Sequence, residues 1–171
     1  MAILKKVMGR YQNTDAIDNL VRYILNPEKM KHMIYGGKGV YLDNIAGSIE
    51  LAQQMFCVEG CRAEHYVLSF ADHEAINLTV KNLMMLGYSV CDYFDDRQVV
   101  FGCHEAKDAC DMDTGSNCGN VHIHFLASTC NIHTGKKSVL NYDKFHTFCF
   151  YTEALLEKMN ISSERLIAIF H

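Results

Sequence analysis

The sequence predicts an α+β fold built on the element order β-α-β-β-α-β, with one further strand and two helices in front of it. Three observations carry that expectation. Strand-like runs of β-branched and aromatic residues recur at His65 to Phe70, Gln98 to His104, Val121 to Ser128 and Arg165 to Phe170. Two longer helical segments, Asp72 to Leu86 and Tyr142 to Met159, follow the first and the third of these runs. Between the second and third runs lies only a polar loop, Glu105 to Asn120, rich in Asp, Gly, Asn and Ser. The order is that of the ferredoxin-like unit, a central antiparallel sheet flanked by helices. With 171 residues and 49% hydrophobic content, one domain spanning 1–171 is expected.

The added elements come first in the chain. Ala2 to Met8 reads as a strand. Thr14 and Asp15 then offer an N-cap to a helix in which Ile17, Leu20, Val21 and Ile24 recur at i, i+3, i+4, i+7 spacing, and Asn26-Pro27 ends it. Gly36-Gly37-Lys38-Gly39 lacks the spacing of a phosphate-cradling Walker loop and is read as a flexible connector. A second helix is expected from Asp43 to Cys57. In the core unit, Gly87 is taken to stop the helix that starts at Asp72, and Thr134-Gly135-Lys136-Lys137 is a turn.

The net charge of −4 hides an asymmetry. Residues 1–40 hold seven Lys/Arg against three Asp/Glu, residues 41–113 four against thirteen, and residues 114–171 five against four. A phosphate-binding surface would therefore be built from the two ends of the chain. No window approaches the roughly 18 uncharged apolar residues of a membrane span, and Met-Ala-Ile-Leu-Lys-Lys lacks the features of a signal peptide. The expected location is cytoplasmic, and the eight cysteines are expected to be reduced thiols, mostly small core hydrophobes.

The most informative segment is Val121-His122-Ile123-His124-Phe125-Leu126-Ala127. Strand side chains alternate between faces, so His122 and His124 share one face while Val121, Ile123, Phe125 and Ala127 pack on the other. Two such imidazoles lie about 6 to 7 Å apart at their Cα atoms, close enough to converge on one ion. If the strands Gln98 to His104 and Val121 to Ser128 pair as antiparallel neighbours, His104 lands beside His122. Three histidines with coordination positions left open suit a catalytic metal. A structural zinc site made of Cys103, Cys110 or Cys118 with a histidine is the competing arrangement, although its spacings match no common zinc template.

The His-hydrophobic-His strand, the upstream His104 and the trailing Asn131-x3-Gly135-Lys136-Lys137 resemble the HUH endonucleases, specifically the relaxase and mobilisation nuclease family of plasmids and conjugative elements. Tyr23-Ile24-Leu25-Asn26-Pro27-Glu28-Lys29 is similar to the family's N-terminal nucleophile helix, and Glu64-His65-Tyr66-Val67-Leu68-Ser69-Phe70 to the strand before its metal motif. The sequence departs from the family at Ser128-Thr129, where an asparagine often follows the second histidine by four. The resemblance implies that Tyr23 is the nucleophile, attacking a scissile phosphate in single-stranded DNA at an origin of transfer to give a 5′-phosphotyrosyl intermediate. It implies His104, His122 and His124 as ligands of a divalent ion, Mg or Mn in the first instance, with Zn, Co or Ni also compatible with imidazole, and relaxosome accessory proteins as partners. Helical geometry alone places Tyr23 about 110° from the apolar stripe, where it could equally cover the edge of the core.

Lys29, Lys31, Lys136 and Lys137, with Arg10, Arg22 and Asn131, are the candidate DNA contacts. Asp15, Asp18 and His73 are acid–base candidates without assignment. Two alternatives remain at this level. A rolling-circle replication initiator or small transposase of the same superfamily would use a tyrosine after the histidine pair, Tyr142 or Tyr151. A noncatalytic nucleic-acid-binding module with RNA-recognition architecture would show stacking aromatics on its central strands, whereas Phe101 and Phe125 read as core.

Overall fold

A computed structural model describes residues 2–70, 78–105, 121–162 and 165–170. It contains β1 (Ala2–Val7), α1 (Ala16–Ile24), β2 (Tyr35–Lys38), α2 (Ile45–Met55), β3 (Ala63–Phe70), α3 (Val80–Asp92), β4 (Val99–His104), β5 (His122–Ser128), α4 (Tyr142–Lys158) and β6 (Ile167–Ile169). A short 3₁₀ turn, Pro27–Lys29, follows α1. The first part of the helix expected from Asp72, the polar loop 106–120, His73, Cys110 and Cys118 lie outside the described residues. Among the described residues no helix is long and apolar enough to cross a membrane.

The strands form one sheet in the order β2-β4-β5-β3-β1-β6. Every neighbouring pair is antiparallel except β1 and β6, which are parallel. The α+β core is as expected, with two strands added: β2 extends the sheet beyond β4, and β1 lies between β3 and β6, in the slot where the last strand of a closed β-α-β-β-α-β unit would pair with the first.

Two expectations are corrected. Gly36 and Gly37 are strand, paired with Phe101 and Val100, rather than a connector. A Cβ on Gly36 would come within 2.6 Å of the Tyr88 hydroxyl, and one on Gly37 within 2.7 Å of the Val99 carbonyl, so glycine here permits close packing rather than flexibility. Gly87 does not stop α3, which continues to Asp92. It sits mid-helix because a Cβ there would lie 2.3 Å from the Phe101 ring.

Strand alternation sorts the side chains onto two faces. On one, Leu4, Tyr66, Leu68, Phe101, Ile123 and Phe125 pack against Leu83, Leu86 and Val90 of α3 and Phe145 and Phe148 of α4. On the other, Val100 and Leu126 meet Ile17, Leu20 and Ile24 of α1 and Ile45 and Ile49 of α2. The apolar stripe read from the sequence of α1 is therefore the face it buries, apart from Val21, which packs at the edge. Fully burying one such side chain is worth about 1.5 to 3 kcal/mol, and these two clusters fix the sheet between two helical layers.

Candidate functional site

The histidines occupy the α1 face at the end of the sheet where β4 finishes and β5 begins. The register pairs Gly102 with His124 and His104 with His122, the juxtaposition expected from the strand order. One ligand-capable nitrogen from each of His104, His122 and His124 lies within 4.8 Å of the others. Two nitrogens bound to one ion lie at most about 4 Å apart, so the cluster is close to the closure an ion would need. Cys103 points to the opposite, aromatic face and is completely buried there, which removes it from any thiolate site with these histidines.

Hydrogen bonds orient two of the rings. His104 uses Nε2 to donate to the carbonyl of Ile24 at 3.0 Å, leaving its Nδ1 lone pair available. His124 Nδ1 lies 2.9 Å from Nε2 of His65. The remaining ring nitrogen of His124, Nε2, is buried and has no hydrogen-bond partner. An unsatisfied buried polar atom costs about 1 to 3 kcal/mol, and this one belongs to the ligand cluster. The donor set thus fits a divalent ion: three imidazoles, one carrying an otherwise orphaned nitrogen. Burial, reinforced by His104 and other neighbouring basic groups, pushes the His124 imidazolium down to about 2. Burial also lowers His104, against the opposing effect of its bond to Ile24. Both rings are neutral at pH 7, the form that binds metal without first losing a proton.

Tyr23 stands off the core stripe of α1 and is 43% exposed. Its ring meets His124 at 5.2 Å and His104 at 5.5 Å between centroids, edge to face in both cases. What holds α1 in this position is Gly102: a Cβ there would fall 2.5 Å from the Ile24 carbonyl, so the missing side chain lets the last turn of α1 settle onto β4. Asn26 then turns the chain, its Oδ1 accepting from the Glu28 amide. The turn returns Lys29 so that its Nζ lies 4.3 Å from the centre of the Tyr23 ring. A cavity of about 540 Å³ adjoins Tyr23, lined among others by Arg10, Tyr11, Asn13, Asn19, His65 and His124.

The other candidates divide. Lys29 and Arg10 lie beside the site, and Lys31 is exposed just beyond the 3₁₀ turn. Arg22 is committed to Asp18 at 2.8 Å on the solvent side of α1. Lys136 and Lys137 are exposed past the far end of β5 from His122, with Lys137 donating to the Glu59 carbonyl at 3.3 Å. Asn131 is structural: its Oδ1 accepts from the amides of His133 and Thr134 and its Nδ2 donates to Asp96. Asp15 accepts from Asn19. Tyr142 and Tyr151 sit on α4, which packs against the aromatic face, and the Tyr151 hydroxyl donates to the Ser89 carbonyl at 2.8 Å. Phe101 and Phe125 are wholly buried core, not stacking platforms.

Sequence reasoning missed His65, which it read only as part of a strand. His65 is 5% exposed and joins Tyr11, 3.1 Å from its Nδ1, to His124. Burial, with a smaller effect from His104, pushes it down to about 4. The signal was present: Tyr66, Leu68 and Phe70 alternate as an apolar face, which sends His65 to the face that carries His124.

The arrangement is of the HUH kind, in which two histidines flank a hydrophobic residue on one strand. The family model of MobA/VirD2-like relaxases, nuclease domain, matches residues 23–161, from the tyrosine on α1 to just beyond α4, and the chain belongs to this relaxase family. No curated protein and no solved structure matched it.

Proposed function

We propose that this domain, residues 1–171, nicks and rejoins single-stranded DNA at an origin of transfer by transesterification through Tyr23, during mobilisation of a plasmid or related element. The observation that carries this reading is the approach of the Tyr23 ring to 5.2 Å from His124 and 5.5 Å from His104. The phenol oxygen attacks phosphorus, the bond from phosphorus to the 3′ oxygen breaks, and the 5′ phosphate is left esterified to tyrosine. The 3′ hydroxyl of the same or another strand reverses the step, because the phosphodiester count is conserved. His104, His122 and His124 would hold a divalent ion, Mg or Mn in the cell, which supplies charge withdrawal from the nonbridging phosphate oxygens. Lys29, whose Nζ lies 4.3 Å from the Tyr23 ring centre, adds a cation near the developing charge, with Lys31 and Arg10 as flanking contacts to the DNA backbone. Lys136, Lys137 and Arg22 would add only general attraction, and relaxosome proteins would supply the melted duplex.

The test is capture of covalent adducts with a pool of single-stranded oligonucleotides, resolved under denaturing conditions. Tyr23→Phe is expected to abolish them, while Tyr142→Phe and Tyr151→Phe retain them. Adducts surviving in Tyr23→Phe and lost in Tyr151→Phe would transfer the chemistry to α4 and the alternative, replication-initiator reading.

A further inference from the structure

The Tyr11-His65-His124 hydrogen-bond chain has a direction, and that direction makes His65 a positioning residue for the ligand cluster. His124 Nδ1 and both nitrogens of His65 each have a single partner in the chain, so one proton assignment fixes the others. His124 Nε2 is the buried nitrogen without a partner, and His124 belongs to the cluster with His104 and His122; since Nδ1 is taken up by His65, Nε2 is the atom left to ligate. For that nitrogen to offer a lone pair from a neutral ring, the proton must sit on His124 Nδ1. It then donates across 2.9 Å to His65 Nε2. His65, neutral and accepting at Nε2, carries its own proton on Nδ1 and donates across 3.1 Å to the Tyr11 hydroxyl oxygen. Tyr11 is left free to donate into the cavity that it shares with Tyr23.

We propose that His65 acts as the acceptor that holds His124 in its Nδ1-protonated tautomer and aims His124 Nε2 at the ion, and that it takes no part in proton transfer from Tyr23. The proposal rests on the metal reading of the three histidines. The exclusion of a base role follows from the same count: a base working through Tyr11 would need a lone pair on His65 Nδ1. That would put the His65 proton on Nε2 and the His124 proton on Nε2, closing the ligand position. Backbone packing supports the fixed geometry. β3 pairs Val67 with His124 and His65 with Leu126, so His65 reaches His124 diagonally across the strand pair. Tyr11 is tucked against Gly9, where a Cβ would fall 2.3 Å from its ring.

The test uses metal binding and tautomer state rather than nicking. Calorimetric titration with Co²⁺ should give a tenfold to hundredfold weaker Kd for His65→Leu, the range usual for loss of an outer-shell partner. His65→Gln, whose carbonyl oxygen can accept at the position of Nε2, should return to within about threefold of wild type. Two-bond ¹H–¹⁵N spectra of the Zn²⁺-loaded protein should show protonated Nδ1 on both His65 and His124. Wild-type Kd in folded His65→Leu, or a protonated Nε2 on His65, overturns the positioning role while leaving the metal site in place. If the wild type binds no Co²⁺, or His124→Ala binds it as tightly, the underlying reading of the site fails and this role fails with it. A pH profile of adduct formation in His65→Gln should keep the wild-type inflection, and a shifted inflection would return His65 to acid–base chemistry.

Discussion

The two faces of the sheet are built from the same strands, and they differ in what they bury. Towards α3 and α4 the sheet buries rings against rings: Tyr66, Phe94, Phe101, Phe125, Phe145 and Phe148 are all below 2% exposed. Towards α1 the residues between those positions are Val100, Gly102 and His104 on β4 and His122, His124 and Leu126 on β5. The second face has surrendered apolar contact to imidazoles and to a glycine. Dividing the labour this way separates stability from chemistry by one residue of register. It also explains why the polar cluster can carry an unsatisfied nitrogen: the aromatic layer beneath it stabilises the strands that hold it.

The comparison breaks most severely on the aromatic side. Phe148 packs on Tyr66, Tyr93 and Phe94, and Phe148→Ala should cost about 3 to 5 kcal/mol in urea unfolding, while the folded fraction keeps wild-type Co²⁺ affinity. A variant that loses metal affinity as well would show the two faces to be coupled.

Acid should act through the other face. Above pH about 6.5, His65 is neutral in both folded and unfolded chains. As the pH falls, the unfolded chain takes a proton that the native ring, held down to about 4, refuses. Stability of the metal-free protein should therefore drop between pH 6.5 and 4, by on the order of 3 kcal/mol from this ring, with His124 acting in the same direction. Urea midpoints at pH 7, 5.5 and 4 measure it, and His65→Gln should flatten the dependence by that amount.

A sharper probe is Gly102→Ala. Its Cβ would press on the Ile24 carbonyl and lift the end of α1, at a cost of about 1 to 3 kcal/mol. The yield of covalent adduct should fall by a larger factor than the loss of folded protein explains. Smallest is Lys29→Gln, which removes a cation–ring contact worth about 0.5 to 1 kcal/mol. Adduct formation should slow by a few fold while Tm falls by no more than about 2 to 4 °C.

Much of this was legible before any coordinates. The alternation in β5 and the polar loop ahead of it were enough to place His104 beside His122, because both are local patterns in strands that follow one another in the chain with only a polar loop between them. The slot taken by β1 was not legible, since strand order is set by contacts between distant segments that leave no local trace. Gly36 and Gly37 hid a strand for a different reason: residues without side chains carry no periodicity, and what makes them necessary is the Tyr88 and Phe101 rings that come to rest against Gly36 and the Val99 carbonyl and Val40 side chain against Gly37. His65 lay between these cases, its face readable but its neighbour dependent on the register of β3 with β5. The match of residues 23–161 to a relaxase nuclease family agrees with the family resemblance that was readable.

The Ile24 carbonyl, at the last turn of α1, is the acceptor that His104 occupies. One peptide group therefore serves as the hinge pin between α1 and the histidine strand, and the phenol one residue earlier inherits its placement from the same pin. A rotation of the helix that carried the tyrosine away would also twist an imidazole out of line. Moving that phenol elsewhere in the fold would mean re-anchoring the histidine as well.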